Sequence, residues 1–361
     1  MNKNFNICFL LKKGSMGIKS CVTLIILLFA LKSFSFNENL TPPVSNGPVK
    51  VSVDLHINKV YNINTVDETY QIDGYLEYSW VDERLKSVDE DSLQGIRVYE
   101  NDRAKELFNT KMWFPAFELI NVQGESQIPN MSIEIHPNGK IIYDERFFGT
   151  FSTYMNFRDF PFDSQQFSIQ IESFSYNKRQ LVFTNPQIFL EEGSNSFTEK
   201  WQIKNMKASI TEQLYPQKDS MDDVYSRVVF EIDSKRLTGY YLWQVLFPLF
   251  IIIMASFVLF WIKDFGTQIG IGFTLMLTVV AFNFYSASIL PKLPYQTFIE
   301  TIIIVGYVFI FMGIIAVIIN HRLNGNKDDS ENNKLTKILR YVFPFTFFTA
   351  LIVLFFLFKV S

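Results

Sequence analysis

Four uncharged, apolar runs follow one another after Arg236, at 240–262, 265–290, 301–320 and 341–358. A helix rising 1.5 Å per residue needs about 20 such residues to cross the ~30 Å hydrocarbon layer of a bilayer. Each run is long enough, and spanning helices are expected at 240–262, 265–290, 297–320 and 338–359. Composition marks the same boundary. Residues 237–361 hold 13 charged side chains in 125, whereas residues 37–236 hold 51 in 200. The chain therefore reads as a water-soluble domain joined to a membrane domain, which excludes disorder, a coiled coil and a single soluble fold. Four spans return the chain to the side it started from. Lys263, Arg322, Lys327, Lys334, Lys337 and Arg340 lie in loops on one side, against Lys292 on the other. The positive-inside rule makes the first side cytoplasmic, including the loop 321–340, and puts the soluble domain outside.

The second run differs from the rest in carrying Thr267, Gln268, Gly270, Gly272, Thr274, Thr278, Asn283, Ser286 and Ser288. Polar side chains at membrane depth face protein or water rather than lipid. At helical spacing Gly270, Thr274, Leu277, Ala281 and Phe284 form one stripe. Copies of that stripe around an axis would line a pore, with Leu277, Ala281 and Phe284 closing it by dewetting. Small and hydroxylated residues also let helices pack closely, so periodicity alone leaves both readings open.

Ahead of the soluble domain, Lys3, Lys12, Lys13 and Lys19 precede an apolar run of only 11 residues, 21–31, and then Lys32-Ser33-Phe34-Ser35-Phe36. Eleven residues are too few to span a bilayer, and the pattern reads as a signal peptide over 1–36. Met16 opens a tidier signal than Met1, so either start fits. Cys8 and Cys21, the only cysteines, fall in this segment, and the exported chain is expected to hold no disulfide.

Residues 37–238 read as a β-sandwich. In 70–80, Ile72, Gly74, Leu76, Tyr78 and Trp80 alternate with Gln71, Asp73, Tyr75, Glu77 and Ser79. The stretches 131–136 and 167–172 alternate likewise, and Pro137-Asn138-Gly139 turns the chain back as a hairpin. Many short strands without helical periodicity point to an immunoglobulin-like sandwich, with a short helix admitted in 87–108. Its net charge of −11 argues against nucleic acid and suits cationic ligands. Tyr75 is an aromatic on the polar face of its strand. With three histidines in the chain, at 56, 136 and 321, no nucleophile–base set or metal spacing appears, so neither an enzyme nor a cofactor is expected.

Several strings then converge. Phe157-Arg158-Asp159-Phe160-Pro161-Phe162-Asp163-Ser164-Gln165 resembles the signature loop of the pentameric ligand-gated ion channels, and Trp113-Phe114-Pro115 resembles that family's W-x-P element. Pro248 in the first span, Phe273-Thr274-Leu275-Met276-Leu277-Thr278-Val279-Val280-Ala281 in the second, and Leu290-Pro291-Lys292-Leu293-Pro294-Tyr295 after it extend the likeness over most of the chain. It is most similar to a bacterial, amine-gated branch. Thr153 and Phe167 stand where animal members place the loop's cysteines.

The resemblance implies a homopentamer in the cell membrane: an all-β outer domain, periplasmic in a bacterium, followed by an all-α domain of four helices, 239–361, with inorganic ions passing through a central pore. It implies a pore lined by Gly266, Thr267, Gly270, Thr274, Leu277, Ala281 and Phe284. Agonists are implied between neighbouring subunits, against Glu118, Glu172, Phe174, Tyr215 and Tyr225 of one and Tyr75 and Asp144 of the next. Aromatic faces and carboxylates in that set suit a small primary amine. Ser132 stands where the amine-gated branch has an Arg, so a ligand that also carries a carboxylate is expected to bind poorly. Coupling to the pore is implied for Asp67, Glu68, Phe162, Asp163, Arg236, Lys292 and Pro294, with Asp163 and Arg236 as an ion pair.

Ion selectivity is less determined. Cation-passing relatives carry a Glu ring at the cytoplasmic end of the second helix. Here Lys263-Asp264-Phe265-Gly266-Thr267-Gln268 has none, and the proline-alanine-arginine pattern of anion channels is also absent. The acidic outer domain favours weak cation selectivity. An anion-permeable channel and a non-conducting chemosensor of the same fold are the alternatives.

Overall fold

A computed structural model describes residues 40–43, 47–87, 95–191, 200–215, 224–287, 293–323 and 334–360. The expected signal peptide, with both cysteines, and Lys292 lie outside the described residues.

Among the described residues, ten strands build the N-terminal domain: β1 (Val49–Asn64), β2 (Thr69–Val81), β3 (Arg97–Glu100), β4 (Phe117–Leu119), β5 (Gln127–Ile135), β6 (Lys140–Ser152), β7 (Ser164–Ser173), β8 (Leu181–Leu190), β9 (Trp201–Leu214) and β10 (Val224–Arg236). They form a six-stranded sheet ordered β3-β5-β6-β2-β1-β8 and a four-stranded sheet ordered β4-β7-β10-β9. The alternation read in β2 is realised: Ile72, Leu76, Tyr78 and Trp80 are buried, while Tyr75 is exposed. Period-two side chains from both sheets fill one aromatic core, in which Tyr78 stacks on Phe117 at 3.8 Å and Trp80 meets Trp113 edge-on at 6.2 Å. The hairpin between β5 and β6 closes as expected. Gly139, at φ +80, sits in the left-handed region, and its N–H donates to the His136 carbonyl at 2.9 Å. The helix admitted near 87–108 is α1 (Asn101–Thr110), which buries Ala104 and Leu107.

Four helices long and apolar enough to cross a membrane follow. The first, α2 (Gly239–Trp261), starts three residues after β10 ends and contains a π-helical turn, Leu242–Leu246, just before Pro248. Phe247 N–H there reaches back five residues to the Leu242 carbonyl, and Pro248 supplies no donor to restore the regular ladder. Next come α3 (Phe265–Ala287), α4 (Phe298–Leu323) and α5 (Lys334–Val360). The last two outrun the expected spans at their cytoplasmic ends, to 323 rather than 320 and from 334 rather than 338. Helical hydrogen bonding does not stop where the hydrocarbon does, and His321 and Arg322 suit the negative end of the α4 dipole.

Glu300, the single acid inside the third expected span, closes a capping box. Its Oε2 accepts from Thr297 N–H at 2.8 Å and from Thr297 Oγ1 at 3.0 Å, and Thr297 Oγ1 accepts from Glu300 N–H at 3.3 Å. The helices share a second core rich in rings, in which Phe343 meets Phe257, Phe260 and Phe309 edge-on and Phe347 meets Phe257 and Phe309.

Candidate functional site

The expected ligand residues fall into two groups on different sheets. One group lies on the outward face of the six-stranded sheet. Register pairs Tyr75 with Arg146 and Glu77 with Asp144 across β2 and β6, and Ser132 with Asp144 across β5 and β6. Tyr75 and Asp144 together line a cavity of about 260 Å³ with Glu100, Asn101, Ser132 and Arg146. Burial, with Glu77 and Glu134 nearby, pushes the Asp144 carboxyl up to about 6. A second cavity of about 410 Å³ opens on the other side of Tyr75, lined also by His56, Phe189 and Glu191.

Arg146 is one of two site residues that were not expected from the sequence. Its guanidinium lies 4.8 Å from the Phe148 ring and 5.8 Å from the Tyr75 ring, and it pairs with Asp73 at 3.1 Å. The strand's period of two was the available signal, because position 146 must share a face with 144. The absence of an Arg at 132 therefore does not leave this cavity without a cation.

The other group lies on the four-stranded sheet. Glu118 on β4 sits opposite Glu172 on β7 in register. Phe174, just past β7, is one of the most exposed aromatics, at 74%. Tyr215 and Tyr225 flank the β9–β10 connection and meet edge-on at 5.6 Å. Glu172 was expected to hold a ligand's ammonium group, but its carboxylate is buried and already paired, through Oε1, with Arg227 Nε. Its other oxygen accepts from Tyr215 Oη at 2.8 Å. Arg227 stands two residues beyond Tyr225 on one strand, so period two again brings it to the face of the site. A buried carboxylate without a partner would be costly, and the chain supplies that partner itself. Burial and the adjoining Glu172 carboxylate raise the Tyr215 hydroxyl above its ordinary value.

The junction between the domains is built around the expected ion pair. Arg236 Nε and Nη2 donate to Asp163 Oδ1 and Oδ2 at 2.7 and 3.0 Å, and both residues are buried. Three rings enclose the guanidinium: Trp201 at 4.2 Å, Phe160 at 4.9 Å and Tyr241 at 5.8 Å. The signature loop rests on the start of α4, where Phe298 N–H donates to the Arg158 carbonyl at 2.9 Å and Phe157 N–H donates to Tyr295 Oη at 3.2 Å. Phe162 reaches Phe298 at 5.9 Å, and Phe298 in turn reaches Phe358 near the end of α5 at 5.2 Å. Pro294 lines a cavity with Tyr295 and Glu300 beside this contact. Asp67 hydrogen bonds to Asn64 within its own turn, and the Glu68 carbonyl accepts from Thr153 N–H. Neither residue reaches the ring cage.

On α3 all seven residues of the expected lining, Gly266, Thr267, Gly270, Thr274, Leu277, Ala281 and Phe284, are exposed in the single chain. The opposite side packs: Gly272, Val279 and Ser286 are buried, and a Cβ on Gly272 would come within 2.8 Å of Ile314. The Thr274 hydroxyl donates back to the Gly270 carbonyl at 2.9 Å. Asp264 caps the helix by accepting from Thr267 N–H at 2.6 Å, and Thr267's side chain and backbone together hold its carboxyl below the usual range.

A sandwich with ligand-type residues on its outer faces, seated on four membrane-length helices beside a buried ion pair, is the plan of a membrane receptor subunit. Residues 28–238 match the neurotransmitter-gated ion-channel ligand binding domain. The chain belongs to that family of ligand-gated ion channels. It is 25% identical, over 317 residues, to the proton-gated ion channel of Gloeobacter violaceus, covering 88% of this chain and 85% of that one. It is 27% identical over 284 residues to γ-aminobutyric acid receptor subunit β-4 of Gallus gallus, covering 78% of this chain and 56% of that one. Against a γ-aminobutyric acid receptor β subunit of Lymnaea stagnalis it is 25% identical over 295 residues, 78% of this chain and 57% of that one. The chain thus spans most of its bacterial relative and little over half of the animal subunits. The family is not one of enzymes.

Proposed function

We propose that five copies of this chain form a cell-membrane channel opened by a small amine bound between subunits, with the sandwich on the outer, periplasmic side. The observation that carries this reading is the split of the ligand residues over two sheets. Tyr75 and Asp144 share no contact with Glu118, Phe174, Tyr215 or Tyr225 among the described residues, so each group is half of a site that a neighbouring copy completes. With Glu172 held by Arg227, the carboxylates left for an ammonium group are Glu118 on one half and Asp144 on the other, and the exposed rings of Tyr75 and Phe174, with the half-buried Tyr225, supply aromatic contact. The exposed stripe on α3 lines the pore, and Asp264 rings its cytoplasmic mouth with five carboxylates, which supports weak cation selectivity.

Arg146 favours a second reading of the ligand. Beside Asp144 in one small polar cavity, it gives the site a partner of each sign, which suits an amine that also bears an acidic group. Concentration–response curves for propylamine and for the matching ω-amino acid, recorded from the full-length channel, separate the two. Amine-only recognition predicts that Arg146→Gln leaves the propylamine response within about twofold. Recognition of both charges predicts a better response to the amino acid and its selective loss in Arg146→Gln. Silence toward every amine would overturn both.

A further inference from the structure

Glu145 lies on the opposite face of β6 from the ligand cavity, between Asp144 and Arg146, and points into the sandwich core. It is 7% exposed. Its register partners are Leu76 on β2 and Met131 on β5, neither of which can stabilise a charge. Its Oε2 accepts a 2.5 Å hydrogen bond from Tyr143 Oη, and Tyr78 stacks beside that ring at 5.8 Å.

The elements packed around it contribute no cation. From α1 comes Phe108, edge-on to Tyr143 at 5.2 Å, while that helix's Asp102, Arg103, Lys105 and Glu106 face outward. From the segment before β4 come Phe114 and, on β4 itself, Phe117. Tyr78 and Tyr143 are the titratable groups facing the carboxyl, and Asp144 and Arg146 point away on the far side of the strand. No Lys, Arg or His ion-pairs with Glu145 among the described residues. An acid so placed resists ionisation, because a charge in an apolar core must either find a partner or draw in water.

We propose that Glu145 is a proton-operated control on the ligand face. Protonated, it sits as a neutral hydrogen-bonded member of the core and holds β6 flat, with Asp144 and Arg146 in place for ligand. Ionised, it pulls the 143–147 segment toward water and disturbs the two site residues that flank it. The inference deepens the proposed channel reading, since the control acts on that same ligand site.

Burial pushes the Glu145 carboxyl up to about 7, so the change falls within the ordinary extracellular range. Burial also raises the Asp144 carboxyl, to about 6, with the opposite consequence for an amine, which needs it ionised. Agonist potency in the wild type should therefore peak between the two and fall on both sides.

The test uses the full-length channel and two readouts. In the first, propylamine potency is recorded at external pH from 5 to 8.5. Wild type should weaken at least about fivefold from pH 6.5 to 8, the lower end of coupling between linked sites. Glu145→Gln should abolish that alkaline fall and keep the acid one. The second readout needs no agonist. Amide hydrogen exchange across 140–152, corrected for intrinsic rate, should speed up between pH 6 and 8 in wild type and stay level in Glu145→Gln. Tyr143→Phe removes the hydrogen bond that favours the ionised form and should move the midpoint to higher pH. An exchange step that persists unchanged in Glu145→Gln overturns the proposal, as does its absence from wild type. A normal exchange step in a channel silent to amines refutes the agonist reading and leaves the switch standing.

Discussion

Arg236→Gln is the most informative single perturbation at the junction between the domains. The wild-type guanidinium makes two charge-assisted hydrogen bonds to Asp163, at 2.7 and 3.0 Å, with both partners nearly excluded from water. Removing one member of such a pair leaves the other charged, buried and unpartnered, which costs about 3–5 kcal/mol. The three rings add cation–π attraction of roughly 0.5–2 kcal/mol each where the cation is desolvated, and a neutral amide loses it. In a domain of about 200 residues 1 kcal/mol moves the melting temperature by roughly 2–4 °C, so loss of the pair alone should lower the single variant's melting temperature by roughly 6–20 °C. Asp163→Asn should fall by a similar amount, because it strands the guanidinium. The double variant should recover the part of the loss that comes from a stranded charge, though not the cation–π attraction, and so should melt above Arg236→Gln and below wild type. The assay is thermal loss of the detergent-purified oligomer on a sizing column, run on the four proteins of the cycle. Single-variant shifts under about 2 °C, or shifts that simply add in the double variant, would refute the claim that a desolvated pair holds this junction.

Other expectations follow from the membrane domain and the aromatic relay. Gly272→Ala should destabilise the channel by about 1–3 kcal/mol through overpacking against Ile314, whereas Gly270→Ala, with no neighbour within 4 Å, should leave its melting temperature unchanged. Equal losses at both positions would show that α3 is turned differently in the assembly. Leu277→Ala should lower the agonist concentration needed for half-maximal current, because a smaller side chain weakens closure by dewetting. Phe298→Ala breaks the contacts to Phe162 and Phe358, and should reduce the maximal current while leaving amine binding to the purified channel within about twofold.

Much of this architecture was legible from residue order. Charge-free runs mark membrane helices because the bilayer tolerates few unpaired charges, and period-two patterns mark strands with one wet face. The Asp163–Arg236 pair followed from family likeness and is built as expected. Arg146 and Arg227 were missed although each lies two residues from a residue already chosen on the same strand. Likeness to an aligned motif draws attention to the matched positions and away from the neighbours that share their face. The partner of Glu172 had a further obstacle. Only the register between β7 and β10, with Val228 opposite Ile171, brings Arg227 beside it. The π-turn before Pro248 was beyond reach as well, since proline announces a disturbed ladder without saying which form the disturbance takes.

On the proposed reading, this family member conducts ions when an amine occupies the site between its subunits. Current through the full-length channel, recorded under asymmetric salt while small primary amines are applied, tests it most directly. Amine-evoked current should reverse near the cation equilibrium potential, with Leu277→Ala opening at lower amine concentration. A reversal potential near the chloride value would contradict the selectivity assigned to Asp264 and the acidic outer domain. Silence of both wild type and Leu277→Ala across the amines would contradict gating itself and favour a sensor that binds without conducting.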